Sequence, residues 1–299
     1  MPKIKTNPKP TANTYSDGAP FDRITYLEAK LILKPDRFKS VASFKEIGKI
    51  VRKTAKKFDV GFTEVVADAP EIREIVFLDT PGFDFYRGAF ILRRRIRYEQ
   101  GFAVGEPEIV FKFRHPDETA ATAVDVRPHI DGAHRIKFKA EALPLKDKVG
   151  GFRILYSHNC QFPLSQSHDD DRTSLQTLHK VFPALSRLNG VETGNVKLVN
   201  EGIVEELLLP LGILDFGAGL TAKCDVSLWR TRGAHLPLVG EFAFQAKFDR
   251  SEAIGEKQRK RAADFYVGLQ WALESWLALG VTKTAMVYQL NGVEAQGHE

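Results

Sequence analysis

The sequence predicts an α+β fold in which antiparallel strands close round a charged interior and helices pack outside. Several segments alternate with period two, and in each the polar parity carries cations: Lys30, then Arg93 and Arg95, then Lys112, then Arg135 and Lys137. One basic strand is an ordinary edge strand whose charges discourage aggregation, but a sheet has only two edges, so a shared basic interior accounts for the set better. Two stretches with helical spacing, near 40–58 and 251–280, carry apolar stripes that can cover the outside of the sheet.

Composition narrows the class. The chain has 43 Lys+Arg against 38 Asp+Glu, a formal charge of only +5, so no specific nucleic-acid partner is expected. Cys160 and Cys224 are the only cysteines, which gives no disulfide framework and no Cys-based metal site and fits a reducing cytoplasm. No run of about 18 uninterrupted apolar residues occurs, so no membrane partner is expected. Residues 1–22 are polar and Pro-rich and read as a disordered tail, with 23–299 as a single domain.

Taken in order, Ile24 to Leu33 puts Tyr26, Glu28 and Lys30 on one face and Leu27, Ala29 and Leu31 on the other. The polar face suits either solvent or a polar barrel interior, where Lys meets anions and Glu holds a hard cation. Ser40 to Phe58 spaces Val41, Phe44, Ile47, Val51 and Ala55 as a helix, with Ser40 or Ser43 as cap. Val76 to Tyr98 reads as strand, turn (Asp79-Thr80-Pro81-Gly82) and strand. The second strand places Arg93, Arg95 and Arg97 together, which requires solvent or a shared polyanion. Glu108 to Arg114 and Arg135 to Glu141 are two further strands with a basic parity.

Residues 150–200 show less pattern. A short helix is expected over Leu175 to Leu188, interrupted at Pro183, and a loop at His168-Asp169-Asp170-Asp171. Sequence neighbours seldom converge on one ion or face one another, so neither that loop as a metal site nor Ser157-His158-Asn159-Cys160 as a nucleophile and base is expected. Asn195 to Leu209, Leu220 to Trp229 and Leu238 to Phe248 read as strands, Ser251 to Gly280 as the longest helix with Gly280 at its C-cap, and Thr284 to Leu290 as a final strand.

Asp79-Thr80-Pro81, then Gly88, then Leu92-Arg93-Arg94-Arg95 resemble the signature of the CYTH superfamily, the triphosphate tunnel metalloenzymes. Tyr26-x-Glu28-x-Lys30 resembles that family's first strand, Glu-x-Glu-x-Lys, with Tyr26 replacing the first Glu. Glu241-x-Ala243 resembles its late Glu-x-Glu strand, with Ala243 replacing the second Glu. The resemblance runs from about Ile24 to Phe248 and implies an eight-stranded antiparallel tunnel-like barrel with a charged lumen. It also implies a triphosphate or polyphosphate small molecule held by Lys30, Arg93, Arg95, Lys112, Arg135 and Lys137. Mg²⁺ or Mn²⁺ would sit on Glu28 and Glu241, the implied catalytic pair, with Glu141 as third ligand. Two functions follow: a metal-dependent phosphohydrolase, or a polyphosphate- or nucleotide-binding protein that has lost turnover. Tyr26 and Ala243 discriminate between them. A class IV adenylate cyclase is a lesser alternative, since nothing reads as an adenine pocket.

Overall fold

The computed structural model describes residues 23–166, 173–248, 254–290 and 292. The tail expected at 1–22 and the His168–Asp171 loop lie outside the described residues.

Nine strands close a ring: β1 (Tyr26–Leu33), β3 (Glu71–Asp79), β4 (Phe90–Glu99), β5 (Phe102–His115), β6 (Arg135–Pro144), β7 (Phe152–Pro163), β8 (Lys197–Asp215), β9 (Thr221–Thr231) and β10 (Pro237–Lys247). Round the barrel they run β8-β3-β4-β5-β7-β6-β1-β10-β9, and β9 pairs back onto β8. A tenth strand, β2 (Gly61–Glu64), pairs with β8 outside the ring. The ring is antiparallel except where β1 runs parallel to β6, with Glu28 opposite Glu141.

The barrel thus has nine strands and one parallel pairing, where an antiparallel eight was expected. The unexpected strand is β7: its inward residues Ser157 and Asn159 are uncharged, so it lacks the signal that marked the other strands. His158 and Cys160 face outward, where His158 stacks on Phe138 at 4.6 Å and Cys160 lies in the apolar layer. Burial pushes that thiol upward, so the pair is structural.

The wall is covered by helices. α1 (Val41–Lys57) is capped by Ser40, which accepts from the Ala42 N–H. It packs with α5 (Glu256–Ala272) on the outward residues of β1, β8, β9 and β10. Gly268 permits this contact, because a Cβ there would lie 2.1 Å from the Phe58 ring. α3 (Glu118–Thr122) and α4 (Leu175–Val181) cover β4 to β7 on the other side, and a 3₁₀ turn at Pro183–Arg187 follows α4 as the proline predicts.

Two expectations fail at the C-terminus. α5 stops at Ala272, well before Gly280, because backbone bonds from Lys34 N–H to the Trp276 carbonyl (2.7 Å) and from Ala278 N–H to the Ile32 carbonyl (2.9 Å) draw the chain onto the end of β1. Thr284 to Leu290 is not a strand: Lys283–Tyr288 forms α6, with Thr282 accepting from the Ala285 N–H as its cap. Asn200 donates to the Val287 and Tyr288 carbonyls at the other end, satisfying groups a short helix leaves open.

Candidate anion-binding lumen

Alternation along the strands sends one parity of each into the barrel, where it surrounds a cavity of about 620 Å³. Every residue the sequence nominated lines it: Lys30, Arg93, Arg95, Lys112, Arg135 and Lys137, and the carboxylates Glu28, Glu141 and Glu241. Among the described residues, twelve Lys and Arg and five Asp and Glu side chains line this space. At one end the inward residues turn apolar. Ile32, Phe77, Ile91 and Val239 pack there with Val287 and Tyr288 of α6, which floors the lumen.

On the side formed by β4 to β7, β6 and β1, the carboxylates are shared among cations. Glu141, 1% exposed, contacts Lys112 at 2.8 Å, Lys30 at 3.2 Å and Arg114 at 3.3 Å, and accepts from Ser157 at 2.7 Å. Burial opposes its charge, but Lys112, Lys30 and Arg114 outweigh burial and hold it well below the usual carboxylate range. Glu28 is placed between Lys30 (2.9 Å) and Lys139 (3.1 Å) and is likewise held low against burial. Arg95 is paired with Glu108.

Two cations here have no carboxylate in contact among the described residues. Burial and the neighbouring Arg95 bring Arg93 down to about 10. Burial, then Lys139 and Arg135, bring Lys137 down to about 8, and its ammonium lies 5.4 Å from the Tyr26 ring centroid.

The opposite wall, β8 to β10, is mixed in sign, with Lys223 and Lys247 lining it beside three carboxylates. Glu206, Asp225 and Glu241 face the lumen, and Lys283 of α6 reaches in from the floor to Glu241 (2.7 Å) and Glu206 (3.3 Å). Burial works against the Glu206 charge, but Lys283 and Arg73 bring it to about 2, with a 2.7 Å bond from the Trp229 indole. Asp225 stands opposite Ala243 in the register and makes no ion pair or hydrogen bond among the described residues. Burial and Glu241 push it up to about 7.

The Asp-Thr-Pro turn does not reach the lumen. Asp79, 1% exposed, accepts from the Thr80, Phe85 and Tyr86 N–H groups and from the Tyr288 hydroxyl at 2.9 Å. It therefore ties the short helix α2 (Asp84–Arg87) and α6 to the end of β3, and Tyr288 stacks on Tyr86 at 4.1 Å. Burial raises this carboxyl to about 6 despite those donors.

Sequence reasoning missed Arg73, Arg114, Lys139, Glu206, Asp225 and Lys283, all of which line the lumen. Arg114 and Lys139 share the parity of Lys112 and Lys137, so the alternation already pointed to them. Lys283 stood outside any strand pattern.

The carboxylates of the lumen are spread along its length. Glu28 and Glu141 are register partners, but Glu241 stands opposite Ile32, four residues further along β1, about 13 Å of strand. All three are in contact with an ammonium, and among the described residues no group of three His, Cys, Asp or Glu side chains could hold a metal. The set does not fit one shared Mg²⁺ or Mn²⁺, which demands several oxygen ligands converging at short distance.

No family model and no curated protein matches the chain. Solved structures similar to it include HpAC1 of Hippeastrum, a candidate adenylyl cyclase with a dominant triphosphatase activity, at 11% identity over 92% of this chain and 100% of that one (TM-score 0.42). A candidate adenylate cyclase of Bacillus halodurans is 10% identical over 88% and 96% (TM-score 0.35). The PH1819 protein of Pyrococcus horikoshii OT3 is 16% identical over 80% and 88% (TM-score 0.31). The closed barrel, its charged lumen and the arginines of the Leu-Arg-x-Arg stretch set in the lumen wall are features that the CYTH resemblance of the sequence implies.

Proposed function

We propose that the lumen binds the phosphate chain of a triphosphate-bearing or polyphosphate small molecule. The observation that supports this most is the cation surplus: among the described residues Arg93 and Lys137 face the cavity with no carboxylate in contact, beside Lys30, Lys112 and Arg114, which share Glu141. Such groups repel one another in a poorly solvated space, and a polyanion offers charge-assisted bonds that relieve the repulsion. Arg93, Arg95, Lys112, Arg135 and Lys137 take the phosphate oxygens, while the apolar floor restricts entry to the opposite mouth. Thermal unfolding with tripolyphosphate at low salt in EDTA tests this. Ligand at a hundredfold excess over its Kd raises stability by about 2.7 kcal/mol, and no shift would remove the basis for a phosphate site.

One observation favours phosphohydrolase turnover as a second reading. Asp225 lines the lumen and makes no hydrogen bond among the described residues, and burial and Glu241 push it up to about 7, the range in which a general base works at neutral pH. It would take a proton from the water attacking the terminal phosphorus, while the arginines and lysines hold the charge on the departing phosphate oxygen. Phosphate release from tripolyphosphate, ATP and thiamine triphosphate, with Mg²⁺, with Mn²⁺ and with EDTA, separates capture from turnover. If turnover occurs, Asp225→Asn abolishes it and leaves binding in place.

A further inference from the structure

We infer that Lys283 is a built-in cation for the β8–β10 wall, filling with a tethered ammonium the place a divalent ion would need, so that anion capture here is independent of metal. The inference rests on the polyanion reading of the lumen and names the cation that accompanies it.

Four observations converge on Lys283. Its ammonium contacts Glu241 at 2.7 Å, Glu206 at 3.3 Å and the Ser227 hydroxyl at 3.3 Å, an all-oxygen set of the kind a hard cation takes. It sits 4.5 Å from the Trp229 ring centroid, whose face favours a cation. Glu206 and Glu241 are thus turned to the same nitrogen, and the Asp225 carboxyl lies near enough to interact with it electrostatically. Finally, α6 is fixed at both ends, by Thr282 and Ala285 at its start and by Asn200, Asp79 and Tyr288 at its finish, so the ammonium arrives on a held element rather than a loose one. The two features that separate this chain from the family pattern point the same way. Tyr26 supports Lys137 where a carboxylate would stand, and Ala243 leaves the β8–β10 wall one carboxylate short on β10.

The test is titration with Mn²⁺ alone, without phosphate ligand, followed calorimetrically and by the Mn²⁺ electron spin resonance signal. The wild type is expected to show no saturable Mn²⁺ site that Glu241→Gln removes. Lys283→Met removes the ammonium and keeps the apolar stem over Trp229. It is expected to gain one Mn²⁺ site, roughly tenfold or more tighter than any Mn²⁺ binding of the wild type, because Glu241 is then left without its cation and Glu206 keeps only Arg73 at 3.6 Å. The gain is expected to vanish in Lys283→Met combined with Glu241→Gln. Lys283→Gln serves the same purpose if the Met variant does not fold. A wild-type Mn²⁺ site lost in Glu241→Gln overturns the inference, and so does a folded Lys283 variant that gains none. Failure of tripolyphosphate to bind the wild type sinks the anion reading instead and leaves the Mn²⁺ outcome to be judged separately.

Discussion

The two walls of the lumen obey the same alternation and differ in charge, one strongly basic and the other close to balance. On the β4–β7, β6 and β1 side one buried carboxylate, Glu141, serves three cations, and Arg93 and Lys137 face the space without one. On the β8–β10 side Glu206 and Glu241 share Lys283, supplied by a helix rather than a strand, and Glu206 also meets Arg73, while Asp225 lines the lumen with Lys223 and Lys247. Strand periodicity therefore fixes which residues reach the interior but not what they do there. The first wall has charge to offer a ligand, whereas the second is compensated within the chain.

The contrast is broken most severely by Glu141→Gln. It leaves Lys30, Lys112 and Arg114 buried around a neutral amide, and loss of one partner of a buried charged set costs about 3–5 kcal/mol. Urea unfolding is expected to show that loss, with part of it restored by tripolyphosphate. Arg93→Ala removes a cation that stabilises no carboxylate by contact, so its stability should hold while triphosphate affinity falls. Loss of charged hydrogen bonds worth about 1.5–3 kcal/mol corresponds to roughly ten- to hundredfold in Kd, readable by calorimetry. Unchanged affinity would remove the Leu-Arg-x-Arg strand from the site.

Beneath the lumen, where Asp79 at the end of β3 holds α6, Asp79→Asn keeps size but cannot accept from all four donors. About 1–3 kcal/mol of stability should be lost, with faster hydrogen exchange in α6, since the Tyr288 hydroxyl bond to Asp79 anchors that helix. The smallest effect is one of pH. Lys137 lies at about 8 in the fold against an ordinary 10.5, so as pH rises through 8 the folded protein loses an ammonium that the unfolded chain still keeps. The unfolded state then binds more protons, so this group makes the unliganded protein more stable between about pH 8 and 10.5 as pH rises. Triphosphate restores the ammonium; binding therefore takes up protons and weakens as pH climbs above 8. Lys137→Ala should flatten the slope.

Much of the basic wall was legible because a charged residue at every second position of a strand is a strong signal. Lys30, Arg93, Arg95, Lys112, Arg135 and Lys137 all reach the lumen on that ground. What escaped had other causes. β7 buries uncharged Ser157 and Asn159 inward, so its alternation has no contrast to read. Thr284 to Leu290 is rich in residues that favour strands, and only the Thr282 cap, the Asn200 amide and the burial of Val287 and Tyr288 make α6 a helix. The Thr282 cap is local, but Asn200 lies 87 residues from Val287 and Asp79 lies 209 from Tyr288, so no local window contains the partners that hold the far end. The same holds for Asp79 itself: its motif stands out in sequence, while its work is to anchor a helix at the far end of the chain.

The central claim is that this lumen captures a phosphate chain without a metal ion. Calorimetric titration of the wild type with tripolyphosphate at low salt, once in EDTA and once in Mg²⁺, measures it directly. One saturable site is expected in both conditions, with the same affinity for free tripolyphosphate once its complexation by Mg²⁺ in solution is allowed for, and it is lost in Arg93→Ala. Binding that appears only when Mg²⁺ is present, or no saturable binding in either, would contradict that claim.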